Sequence, residues 1–293
     1  MINVIHNYCN CEWFGTPSED SSLQNLGKDI HIYNMGMPIH MPEVFDKNAF
    51  NVYVDSNEPD FLVPQDIESD LEPFVENFDL VLTRRSTFLK RKNARKLVYG
   101  TAWVHDHEKF WSSKNGKISF TLSAKVLLNS SGYISRHLLG QRLDEVRKHC
   151  SFQIDGFDSE RMPTGYPALN KILSSANNGR DEMMYYNYHI AMENSRHENY
   201  FTEKLIDCFL TKTIPIYYGC PNISDYFDLN GFYTFTNMQE LCDILRSINE
   251  NTYDEKKEAI EKNYELAKPY EENFSVRLWR EVEKYVSEKG LLK

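Results

Sequence analysis

Apolar residues in this chain fall in short blocks separated by polar, irregular stretches. In the first part, blocks at 2–5, 31–33, 52–54, 78–83 and 96–99 are rich in aliphatic and aromatic residues and too short for helices. Blocks of that kind predict buried strands of an α/β sheet, and helical period is poor between them. Further strands are expected at 117–122, 152–154, 188–193, 213–219 and 232–235. Apolar positions at helical spacing predict helices over 136–149, through Leu138, Leu139, Leu143 and Val146, and over 238–248. The polar stretch 156–181, broken by Pro163 and Pro167, predicts a loop with a short helix at 168–174. The Glu- and Lys-rich end, 255–288, carries apolar positions at Ile260, Tyr264, Leu266, Leu278, Trp279, Val282 and Tyr285, and Pro269 divides it into two helices. A charged run at 106–117 is the expected interdomain segment. The expected domains are therefore 1–116 and 117–293, with the C-terminal helices in the second.

One unit carries candidate chemistry. Tyr200-Phe201-Thr202-Glu203-Lys204 opens a helix whose apolar face is Leu205, Ile206, Phe209 and Leu210. Thr202 suits an N-cap, and Glu203 suits the positive end of the helix dipole. Lys204 does not, unless an anion binds beside it, because a lysine and free N–H groups together hold phosphate well. A strand precedes the unit and another follows, so the loop lies at a strand's carboxyl end, where open α/β sheets bind ligands. A solvated lysine in an ordinary βαβ unit gives the same spacing.

Glu193-Asn194-Ser195, Tyr200, Thr202-Glu203-Lys204 and Ile214-Pro215-Ile216-Tyr217-Tyr218-Gly219 occur in that order at fixed spacing. This succession resembles the donor-site signature of glycosyltransferase family 10, the α1,3/4-fucosyltransferases, and is most like its short bacterial members. Met192 stands where the family pattern has phenylalanine. The resemblance implies a GT-B type α/β fold, two Rossmann-like domains facing across a cleft, with acceptor bound by 1–116 and nucleotide sugar by 117–293. It implies inverting transfer of L-fucose from GDP-fucose to a glycan or glycoconjugate hydroxyl. Asn194, Tyr200, Glu203 and Lys204 carry over as donor contacts. With Asn129 as anchor, the family's donor arginine falls on Arg136, with Leu143 in step and Arg142 the alternative. The segment after 52–54 resembles the family's strand and E-x-P stretch, which makes Glu58 the general base and Asp55 the reserve. Here Pro59 follows the glutamate directly; Phe78-Asp79 also matches a family pair. The same fold using another nucleotide sugar, and an inactive nucleotide- or carbohydrate-binding relative, remain the alternatives. The sequence has no D-x-D triplet, so no metal cofactor is expected, Mn or Mg being at most stimulatory.

Composition narrows the partners. A net charge of −10 argues against nucleic acid, which needs a basic surface. Aromatic content of 13% fits a sugar cleft and a packed α/β core equally. The six cysteines lack paired metal-ligand spacing, which points to a reducing compartment. No run approaches the ~18 apolar residues of a transmembrane helix, and 1–6 lacks the pattern of a signal peptide. The expected location is cytoplasmic, at most peripheral to a membrane.

Overall fold

The structure is a computed structural model that describes residues 4–7, 14–34, 46–56, 58, 75–125, 128, 130–158, 169, 171–172 and 181–293. The chain divides into two compact units, one of residues 1–99, 198–200 and 272–293, the other of 100–197 and 201–271.

In the first unit β1 (Val4–Asn7), β2 (Ile30–Asn34), β3 (Phe50–Val54), β4 (Leu80–Thr83) and β5 (Ala94–Lys96) form one parallel sheet in that order. Period-two alternation sorts their side chains. Ile30, Ile32, Val52, Val54, Leu80 and Leu82 share one core with Phe14, Leu23 and Leu26, while Tyr33, Tyr53 and Val81 share another with Val75, Phe78 and Phe88. The first core is completed by the C-terminal helix (Phe274–Glu288), through Phe274, Leu278, Trp279, Val282, Tyr285 and Val286. That helix was expected in the second domain. Its apolar stripe is legible in sequence, but a stripe does not say which sheet it covers.

The second unit holds β6 (Ile118–Leu122), β7 (Ile154–Asp158), β8 (Lys171–Ile172), β9 (Tyr188–Met192), β10 (Ile214–Tyr218) and β11 (Tyr233–Thr234). They pair in parallel in the order β11-β10-β9-β6-β7-β8. The order runs outward from β6 in one direction, then reverses, which is the doubly wound arrangement with its switch point between β6 and β9. Its helices are α1 (Ser131–Gln141), α2 (Leu143–Arg147), α3 (Asp181–Met184), α4 (Glu203–Leu210), α5 (Met238–Ser247), α6 (Thr252–Glu255) and α7 (Lys257–Ala267). Pro269 lies in the 3-10 turn Lys268–Tyr270 between α7 and the C-terminal helix, as expected.

Several boundaries differ from expectation. The 106–117 run is not a linker: it forms a 3-10 turn, His107–Phe110, whose Phe110 is fully buried beside Val104, Phe157 and Met184. The unit boundary therefore falls at 99/100. β7 runs past the expected 152–154 because Asp155 and Gly156 are strand residues. Asp155 is wholly buried, accepting from Tyr186 Oη at 2.5 Å. Lys171–Ile172 pairs with Phe157–Asp158 as a strand within the expected 168–174 helix; most of 159–180 lies outside the described residues. α1 begins at Ser131, not 136, because Ser130-Ser131-Gly132 lack the apolar signal yet enter the helix.

Candidate functional site

The site is built at the switch point of the second sheet. β6 and β9 run side by side in parallel, and each leads from its carboxyl end into a loop and then a helix, α1 and α4. α1 comes in at the closest approach backbone geometry allows. A Cβ on Gly132 would lie 2.0 Å from Glu193 O and 2.3 Å from Asn194 O. Only glycine permits that contact. Ser130 Oγ donates to Asn194 O, and Arg136 Nη2 donates to Met192 O at 2.9 Å and Asn194 Oδ1 at 2.6 Å. The buried Arg136 guanidinium thus ties the second turn of α1 to the end of β9.

Glu193, the next residue, is fully buried. Its Oε1 accepts from Thr202 N at 2.8 Å and its Oε2 from Thr202 Oγ1 at 2.7 Å. Thr202 caps α4 as expected, its Oγ1 accepting from Lys204 N at 3.3 Å. Lys204 Nζ lies 2.8 Å from Glu203 Oε1 and 4.0 Å from Glu193 Oε2. Burial pushes the Glu193 carboxyl above the usual carboxylate range and Glu203 adds to that, while Lys204 and the two Thr202 bonds oppose it. Lys204 therefore faces two acidic side chains, Glu193 and Glu203, while Arg136 is spent on Asn194 and the end of β9. An anion placed here would meet the helix N-terminus and Lys204 and would compete with Glu203 for the amine. Among the described residues no group of three His, Cys, Asp or Glu side chains could hold a metal ion.

Residues 133–271 match glycosyltransferase family 10 (fucosyltransferase), C-terminal part. The chain carries a glycosyltransferase family 10 domain. Over 99 residues it is 30% identical to the alpha-(1,3)-fucosyltransferase FucT of Helicobacter pylori, a match that covers 33% of this chain and 19% of that protein. Among solved structures it resembles trehalose-6-phosphate from E. coli bound with UDP-2-fluoro glucose, with a TM-score of 0.59 and 10% identity over 87% of this chain and 73% of that one. An alpha1,3-fucosyltransferase with GDP aligns at a TM-score of 0.48 and 16% identity, over 93% of this chain and 90% of that one. The fold is of the GT-B type, with two parallel-sheet α/β domains.

The family-10 domain brings Arg136, Asn194, Glu203 and Lys204 into one cluster. That cluster does not include Arg142, which sits at the far end of α1 in an exposed ion pair with Glu145 at 2.8 Å. With ~1.5 Å of rise per residue, the length of α1 separates it from the Gly132 contact. Tyr200 belongs to the first unit, where it is buried with the Arg84 guanidinium 5.6 Å from its ring centroid. Glu58 is half-buried just beyond β3. Asp55 is buried and committed, accepting from Thr83 Oγ1 and Arg85 Nε at 3.0 Å each. Sequence reasoning gave Glu193 no role, although a glutamate directly after a mostly apolar strand signals a buried carboxylate that needs donors. It also passed over Asp207, wholly buried on α4 and accepting from Trp103 N at 2.8 Å and Val104 N at 3.1 Å. There the signal was an acid on an otherwise apolar helix.

Proposed function

We propose that the protein is an inverting α1,3-fucosyltransferase that moves L-fucose from GDP-fucose to a hydroxyl of a glycan or glycoconjugate. What carries this reading is the coincidence of the family-10 match with a capped helix and a lysine at the switch point of a doubly wound sheet. Lys204 and the first turn of α4 neutralise the diphosphate as it leaves, where charge develops in the transition state. Arg136 and Asn194 fix the end of β9 beneath the nucleotide, and Glu203, when released from Lys204, accepts from sugar or ribose hydroxyls. In the first unit, which takes the acceptor, Glu58 is the base. It removes the acceptor hydroxyl's proton while the oxygen attacks the anomeric carbon opposite the departing GDP. Asp55 is the poorer candidate because its Oδ2 accepts from both Thr83 Oγ1 and Arg85 Nε, which holds the carboxylate in an ion pair. Side-chain cations supply the positive charge, so metal ions are at most stimulatory.

The test is a panel of nucleotide sugars offered with glycan acceptors, read by nucleotide release and product mass. Turnover is expected with GDP-fucose, and it should persist in EDTA. Glu58→Gln should lower turnover roughly 10²–10⁴-fold with GDP affinity unchanged. Lys204→Ala should weaken GDP binding by on the order of 1.5–3 kcal/mol, the size of a charge-assisted contact. Turnover of a different donor alone, or GDP binding unaffected by Lys204→Ala, would overturn the assignment.

A further inference from the structure

Arg84 follows the last residue of β4 in the first unit and is 3% exposed. Among the described residues nothing accepts a hydrogen bond from its Nε or Nη2. The buried carboxylate at this sheet edge serves its neighbour instead: Asp55 pairs with Arg85. Arg84's own contacts are the Tyr200 ring face and a bond from Asn199 Nδ2 to its carbonyl oxygen at 2.8 Å. A guanidinium stays charged at any physiological pH. Burying one is costly even after relaxation, whereas a cation–π contact offsets only part of that cost and provides no acceptor. The position is also a ligand-binding one. Carboxyl edges of parallel sheets bind ligands, and Asp55, Ser56 and Glu58 leave β3 at this same edge.

We propose that Arg84 is an oxyanion subsite of the first unit, its planar guanidinium taking two oxygens of a carboxylate or phosphate group on a substrate, with the Tyr200 ring as backing. Arginine suits this because its donor fork matches planar and tetrahedral oxyanions in bidentate fashion. The 198–200 loop lies over it, tied by Asn199 and by Ser86 Oγ donating to Glu198 Oε2 at 3.0 Å. The ligand enters as that loop gives way. The identity of the ligand as a substrate rests on the proposed transferase activity. The oxyanion has two sources, an acidic substituent of the acceptor glycan or the donor diphosphate, and the experiment separates them.

Wild type, Arg84→Gln and Arg84→Lys are compared by calorimetry with GDP, inorganic pyrophosphate and glucuronic acid. KM is then measured for matched neutral and carboxylate- or phosphate-bearing acceptors. Arg84→Gln should lose about tenfold or more in affinity for one anionic ligand class and nothing for the neutral acceptor, with Arg84→Lys between the two. Loss confined to GDP and pyrophosphate assigns the donor; loss confined to acidic acceptors assigns the acceptor. If Arg84→Gln fails to fold, Arg84→Lys carries the test through its weaker ligand-induced rise in Tm. Variants that bind every anion as wild type does reduce Arg84 to a brace for Tyr200 and overturn the proposal. A wild type that turns over no donor sinks the proposed activity, while the calorimetric arm still decides the subsite.

Discussion

Among the described residues no carboxylate pairs with Lys114 of the second unit. Its Nζ donates to Met184 O at 2.5 Å and Thr213 Oγ1 at 2.6 Å, and burial holds the amine down at about 7, from 10.5. A lysine whose folded pKa lies below its unfolded one favours the neutral form on folding, so its charge opposes stability at low pH. The penalty is constant below pH 7 and shrinks as pH rises from 7 towards 10.5. Thermal melts of wild type and Lys114→Met across that window should therefore show wild type gaining Tm relative to the variant as pH rises. A difference independent of pH would mean that Lys114 keeps its charge in the fold. Lys204 contrasts with it, because carboxylates surround its amine and a ligand rather than a proton is its natural competitor.

At the scale of elements, α1 is placed by a residue it lacks. Alanine at position 132 would favour the helix by about 0.8–1.0 kcal/mol in isolation. The contact at 2.0 Å is with backbone, however, and cannot move aside as a flexible side chain would. Gly132→Ala should therefore destabilise by roughly 1–3 kcal/mol, as overpacked sites do. It should also weaken GDP binding, because shifting α1 pulls Arg136 off Asn194. Urea unfolding together with calorimetry checks both, and a variant as stable as wild type would refute the close approach. α4 is the opposite case: its start was legible because the Thr202 cap and Lys204 are adjacent in sequence.

For the whole molecule, the C-terminal helix decides where the first unit ends. Its six buried apolar residues join the first core, Trp279 Nε1 donates to Phe14 O at 2.8 Å, and Glu283 accepts from Ser22 N at 2.7 Å. At about 1.5–3 kcal/mol per large side chain, that burial rivals the ~5–15 kcal/mol stability of an entire domain. A chain ending at residue 271 should lose the first unit's fold while keeping the second. Limited proteolysis should then cut within 14–99 and spare 100–271. An unchanged digestion pattern would show that the first sheet stands without this helix.

By itself the sequence determined what neighbouring residues encode: strands as apolar blocks and hence an α/β class, the Thr202 cap, and the motif from Glu193 to Gly219, whose resemblance to family 10 implied the GT-B type. Those features depend on spacing of a few residues, which one chain displays directly. Tertiary structure alone decided that the C-terminal stripe covers the first sheet, that Phe110 of the 106–117 run joins a core, and that Tyr200 lies with Arg84. It alone also set the partner of each charge, giving Asp55 to Arg85 and Lys204 to Glu203. An amphipathic helix declares that it needs a face, and an ionisable side chain that it needs a partner. Which face and which partner follow only when residues distant in sequence are brought within a few ångströms of each other.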